Sequence, residues 1–373
     1  MVTFQNKDQA LRGAMRPLVG GLAALLLVAA QPAAGAVKPP AGLEAKLNEV
    51  VRKDGAAGVT AIVMKGGQQL YRLDVGSIAP EARLRIESAS KWMTAALALT
   101  VVDEGKLSLD EPIGKRLAQF KGEAGKITLR QLLSFTAGQG SLKGLADVLQ
   151  PTDITLAQSA DLIAARPLED PPGTVFKYGG PSLQVVGALV EQATGRSWTD
   201  LFDERIAHPL GLTHTSWSSA FRPPQPGPVR NPNLQGGVIT TADDYARFLT
   251  MLAQGGVFRG HRVLSASAID AMETAQTVGK PMGYIPPGAA GKTLQYALGN
   301  WCEVVGADGR CIMASSPGML GAYPWIDRSS GLYGVFFLNR RLPLVANELR
   351  EARQIILKAE TAAPGGSQHG DRP

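Results

Sequence analysis

A chain of 373 residues, 45% hydrophobic and 19% charged, holds ample apolar material for a large buried core, which excludes disorder along its whole length. The net charge of +6 is a mild excess, and no cluster of Lys and Arg is interleaved with aromatics, so no nucleic-acid surface is indicated. Small molecules or envelope polymers are the expected partners. At the start, Lys7, Arg12 and Arg16 precede an apolar run over residues 18–30, and Ala34-Gly35-Ala36 has the small-x-small form of a cleavage site. Residues 1–36 therefore read as a secretion signal cut after Ala36. A membrane anchor is the alternative, but a span needs about 20 apolar residues and the run is shorter, so no stable span is expected once the signal is removed.

The hydrophobic pattern then predicts a helix over 43–52, a buried strand over 58–64, a Gly66-Gly67 turn and a second strand over 69–75. From 88 to 104 it turns helical, with Trp92, Ala95, Leu99 and Val102 on one side and Gly105 as the stop. Further helices are expected over 128–135, 156–165, 182–193, 197–205 and 242–253. Strands return over 294–305, 311–315, 319–326 and 332–339, and a last helix covers 346–360 before a polar Gly/Pro tail. The order of elements predicts an α+β fold with an antiparallel sheet flanked by terminal helices and a large all-helical insert. One domain would span 37–360, its α/β part about 43–87 and 290–360, its helical part about 88–289, with 361–373 an unstructured tail. Cys302 and Cys311 flank a Gly-Ala-Asp-Gly turn signal, and export would favour a disulfide between them over two free thiols.

Ser88-Ala89-Ser90-Lys91 is an S-x-x-K at the opening of a helix, a spacing that puts hydroxyl and ammonium on one face. A serine hydroxyl is a poor nucleophile until a neighbour takes its proton, which a lysine can do once burial lowers its pKa. Alone, the tetrapeptide reads first as an N-cap followed by a solvated lysine, and it is the motifs around it that reverse this. Tyr178 lies in the turn-rich Pro171-Pro172-Gly173-Thr174-Val175-Phe176-Lys177-Tyr178-Gly179-Gly180 segment, just before a helix start at which a phenolate would be stabilised. Ser315-Ser316-Pro317-Gly318 precedes a predicted strand, where glycine permits close backbone approach. Trp92 reads as helix packing, and Trp325 as core or as a wall of an acyl pocket.

These motifs, together with the Leu107-Ser108-Leu109-Asp110-Glu111-Pro112, Pro209-Leu210-Gly211-Leu212 and Gly236-Gly237-Val238-Ile239-Thr240-Thr241-Ala242-Asp243-Asp244 blocks, resemble the serine β-lactamase and penicillin-binding protein superfamily, in its branch of class C β-lactamases, D-aminopeptidases and esterases. So does the segment from Ile127 to Gly138, similar to I-T-L-R-x-L-L-x-H-T-S-G. The resemblance implies a β-lactamase/transpeptidase-like fold and an acyl-enzyme on Ser88. Lys91 would deprotonate Ser88 or hold its proton network, Tyr178 would relay a proton to the leaving group, and the N–H groups of Ser88 and Met319 would form the oxyanion hole. No metal or organic cofactor is implied. Gly180, Ser316 and Gly318 occupy the positions of the family's substrate-binding motifs, with two departures. Gly180 stands where Tyr-x-Asn has its asparagine, and Ser316-Pro317-Gly318 replaces Lys-Thr-Gly or His-Thr-Gly. Losing that cation disfavours substrates with a carboxylate, such as β-lactams and D-Ala-D-Ala ends, and tilts the expectation toward an ester, with amides and peptides as alternative small-molecule substrates. A Ser-His-Asp hydrolase has thin support, because no G-x-S-x-G occurs and His208, His214, His261 and His369 lie outside the blocks or at their edge. A metallohydrolase lacks a ligand set, and a non-catalytic envelope binding protein has no chemical need for Ser88, Lys91 and Tyr178 together.

Overall fold

The computed structural model describes residues 37–140, 146–149, 151, 153–219, 227–289 and 293–362. The expected signal at 1–36 lies outside them, as does the expected tail over 361–373 except for residues 361–362, which belong to the last helix. Among the described residues, no helix is long and apolar enough to cross a membrane.

The chain opens with α1 (Leu43–Asp54) and the hairpin β1 (Gly58–Lys65) and β2 (Gln68–Gly76). The helical region contains α2 (Ser90–Asp103), α3 (Ser182–Thr194) and α4 (Ala242–Ala253). The sheet resumes with β3 (Gln295–Tyr296), β4 (Trp301–Val305), β5 (Cys311–Ser315), β6 (Tyr323–Asp327) and β7 (Leu332–Leu338), and α5 (Leu342–Ala362) ends the fold. All seven strands join antiparallel in the order β3-β4-β5-β6-β7-β1-β2, so the last long strand pairs with the first, with Ile62 opposite Val335. This is the α+β, β-lactamase/transpeptidase-like architecture.

Both faces of the sheet are covered, which is why its central strands read as near-continuous apolar runs. Val59, Ala61 and Val63 of β1 and Phe336 and Leu338 of β7 pack with Leu47 and Val50 of α1 and with Leu349, Ala352 and Ile356 of α5. The alternate residues Ile62, Val335 and Phe337 face the helical region. Trp325 is fully buried in the terminal-helix layer, so it is core and not a pocket wall.

Two predicted strands end differently. The 294–305 stretch is a short hairpin, β3 and β4, broken at Gly299, whose φ of 83° no β-branched residue adopts easily. Over 319–326 only the part from Tyr323 is strand; Gly318 N–H donates to Ala322 O at 2.7 Å, closing a turn. Cys302 on β4 and Cys311 on β5 are joined by a disulfide, their Cα atoms 5.0 Å apart.

Candidate active site

Every residue of α2 from Ser90 to Val101 is buried, so the helix is buried all round and not one-sided as its pattern suggested. It begins two residues later than expected: Glu87–Ala89 form a 3-10 turn that holds Ser88 half-buried at the helix entrance. Lys91, only 3% exposed, is the second residue of the buried helix. Its Nζ donates to Ser88 Oγ at 2.9 Å and to the Gln235 carbonyl at 2.8 Å. Burial without a carboxylate partner in contact pulls the Lys91 amine down to about 7, against a weaker upward pull from Glu87. The solvated-lysine reading is thereby set aside by geometry.

Tyr178 reaches the same point from the loop before α3. The block that resembles I-T-L-R shapes its seat: Thr128 caps the helix Leu129–Leu133 in a capping box with Gln131, and Phe135 just beyond packs edge-on against Tyr178 at 5.3 Å. Trp301 at the start of β4 stacks on the phenol at 5.0 Å, and the side chains of Ser88 and Trp301 are the neighbouring polar groups that favour its ionised form. Burial pushes the phenol up to about 12, outweighing the pull of those two groups, so the helix terminus does not produce a resting phenolate. Lys91 Nζ lies 5.0 Å from the Tyr178 ring centroid. The three side chains read from sequence as the reacting set are therefore brought together.

The turn after β5 is pressed against the nucleophile. A Cβ on Gly318 would stand 2.0 Å from Ile86 O, so only glycine permits this approach to the Ser88 turn. Ser316 is buried and its hydroxyl donates toward Ser88 O at 3.3 Å and Gly299 O at 3.4 Å. Met319, 41% exposed, follows at the mouth, its carbonyl accepting from Leu342 N–H while no backbone hydrogen bond among the described residues engages its own N–H.

A cavity of about 270 Å³ opens over Ser88, Lys91 and Tyr178. Much of its wall is apolar, including Leu149, Pro286, Leu294, Met319 and Leu342. Gly180, Ser316 and Gly318 are not among the described residues that line it. Ser316 is turned inward to tie the Ser88 turn to the sheet, Gly318 is packed under that turn, and the Gly180 carbonyl is covered by the Gln235 side-chain amide, which donates to it. The neighbours Ser315 and Pro317 line the cavity instead. Sequence reasoning missed Glu87, Gln235, Trp301, Glu303 and Arg350, all of which line it too. Gln235 immediately precedes the Gly236-Gly237 block and is the one with a local signal. It links Lys91 through its carbonyl and Gly180 through its amide, next to the place where an asparagine is absent. Glu303 is held by Arg353 Nη2 at 2.5 Å, Ser315 Oγ at 2.5 Å and Tyr323 Oη at 2.9 Å. Burial pushes its carboxyl up, and these partners outweigh burial and leave it lowered. His208, His214 and His261 are exposed and away from the cavity wall.

The family model described as Beta-lactamase matches residues 43–358. The curated protein Esterase EstB of Burkholderia gladioli is 27% identical over 284 residues, covering 66% of this chain and 71% of its own. Among solved structures, a putative beta-lactamase from Bacteroides dorei is 31% identical with a TM-score of 0.71, covering 83% of this chain and 97% of its own. A structure titled EstCE1, a hydrolase with promiscuous acyltransferase activity, shares the fold at 18% identity with a TM-score of 0.68, covering 84% and 97%. With a match across most of its length and a half-buried Ser meeting a buried Lys and Tyr at one cleft, the chain belongs to the beta-lactamase family and is a serine hydrolase.

Proposed function

We propose that the chain is an exported hydrolase that cleaves esters through an acyl-enzyme on Ser88. The observation that carries the mechanism is the 2.9 Å contact between Lys91 Nζ and Ser88 Oγ, with the amine buried and its pKa near 7. The neutral amine takes the Ser88 proton as Oγ bonds to the ester carbonyl carbon. The tetrahedral oxyanion lies between the N–H groups of Ser88 and Met319, donors that act as charge develops. The proton passes through the Tyr178 hydroxyl to the departing alkoxide, which leaves as the alcohol. Water then adds to the acyl carbon, returns a proton through the same groups to Ser88 Oγ, and the acid departs.

Preference for esters rests on the apolar wall and on the inward-turned Ser316, which presents neither a cation nor a free hydroxyl to a substrate carboxylate. The kinship with Esterase EstB supports it. A second reading, a β-lactamase or D-alanyl-D-alanine carboxypeptidase or D-aminopeptidase, draws on Arg350 of α5, which lines the cavity and supplies a cation from another element. Export rests on the residue 1–36 pattern and agrees with the Cys302–Cys311 bridge. Turnover of a short-chain p-nitrophenyl ester and of nitrocefin, each beside Ser88→Ala, tests the activity. Ester turnover abolished in the variant with nitrocefin untouched is expected; fast nitrocefin turnover makes the second reading the correct one.

A further inference from the structure

Glu87 stands immediately before the nucleophile with a φ of 45°, a left-handed backbone that glycine adopts without strain and glutamate does not. It is 9% exposed yet lines the cavity. Its side chain lies over Gly236: a Cβ there would stand 3.0 Å from Glu87 Oε2 and 3.3 Å from Glu87 Cα, so the glycine leaves room for the carboxyl. Arg85 Nε donates to Oε1 at 3.3 Å, a long contact for an ion pair. Every other charge on the cavity wall is differently placed. Lys91 is turned to Ser88 and Gln235, Glu303 is tied up by Arg353, and Arg350 projects from α5, where it donates to Asn347 Oδ1 at 2.5 Å. Glu87 is thus the acidic group of the wall that is adjacent in sequence to the attacking serine and has no short ion pair among the described residues.

We propose that Glu87 sets the charge preference of the cleft, turning away acyl groups that carry a carboxylate near the scissile carbonyl and admitting neutral and ammonium-bearing ones. The inference rests on the Ser88 acyl-enzyme reading and refines its substrate class. Two like charges in a partly desolvated cleft repel far more than in water, while an ammonium gains the same interaction with opposite sign. Burial pushes the Glu87 carboxyl up, with Arg85 and Lys91 opposing, so discrimination should sharpen as pH rises through its titration.

The test compares kcat/KM for methyl butanoate, monomethyl succinate and methyl β-alaninate, acyl groups of matched length that differ in charge. The purified protein should hydrolyse the succinate ester at least about tenfold less efficiently than the butanoate ester. Glu87→Gln should shrink that gap by about tenfold and reduce any advantage of the β-alaninate ester, while Glu87→Asp keeps the order. If Glu87→Gln does not fold, Glu87→Gly replaces it, since it removes the charge and suits the backbone. The rate of Ser88 phosphonylation by alkyl fluorophosphonates with neutral, ω-carboxylate or ω-ammonium tails reads the same ranking without turnover. A ranking that moves less than twofold on removing the carboxylate overturns the role of Glu87 and leaves the acyl-enzyme standing. Methyl butanoate turnover that survives Ser88→Ala, or no turnover with Ser88 unlabelled, removes the acyl-enzyme and the inference with it.

Discussion

At the scale of single residues, the site depends on keeping an amine buried where burial is unfavourable. The Lys91 pKa falls from 10.5 to about 7, so between those values the unfolded chain binds a proton that the native chain does not. Stability contributed by this group therefore rises with pH across that window, and at neutral pH and below the buried ammonium is a net cost. Lys91→Met should raise the midpoint of unfolding at pH 7 by an amount equivalent to about 1 kcal/mol, the unpaired Gln235 carbonyl offsetting part of the gain, and should abolish ester turnover. Calorimetry of the two proteins reads the first effect. In the unaltered enzyme, kcat/KM should climb with pH through an acid limb near 7 as the amine becomes neutral. A limb that is flat from pH 5 to 9 contradicts a lysine base. Ser88, Lys91 and Tyr178 were legible because their spacing and turn context survive in the linear chain. Glu87 and Gln235 were not, since their part is decided by what lies across the cavity: Gly236 for the one, Lys91 and Gly180 for the other.

At the scale of elements, the 242–253 helix was legible to both ends because Thr241 caps it through the Asp244 N–H and Asp243 and Asp244 fill its first turn. The 294–305 and 319–326 stretches were misread as unbroken strands. Gly299-Asn300 and Gly321 break these otherwise apolar runs with backbone that φ values of 83° and 107° reserve for glycine, and at Gly299 a side chain would meet Lys91 O at 2.5 Å, a contact that only the fold reveals. Ser316 shows the same limit: its type was readable as a neutral hydroxyl facing substrate, but the fold turns it toward Ser88 O and Gly299 O. The contact between the β5 turn and the Ser88 turn gives an element-level prediction. Gly318→Ala places a methyl 2.0 Å from a backbone oxygen that cannot swing aside, so it should destabilise by about 1–3 kcal/mol and cut kcat at least about tenfold by displacing the oxyanion donors. Urea unfolding with ester kinetics on the same sample checks both; wild-type values in both would mean the two turns do not hold each other.

At the scale of the whole molecule, the sheet separates two cores, one under α1 and α5 and one shared with the helical region, and the site lies where the helical region meets the β4 and β5 ends. The disulfide fastens that edge. It closes a loop with a sequence separation of 9, for which chain entropy alone gives about 2–3 kcal/mol. Reduction, or Cys302→Ser with Cys311→Ser, should lower the thermal midpoint by an amount of that order, read by a melt with and without dithiothreitol; an unchanged midpoint means that the bridge contributes nothing. The measurement closest to the central claim is intact-mass and peptide mass spectrometry of the protein mixed with a slowly hydrolysed ester. A single acyl increment on the peptide holding Ser88, formed and lost at the turnover rate and absent from Ser88→Ala, is the predicted result. Turnover that persists in Ser88→Ala, or an acyl group carried on any other residue, would contradict it.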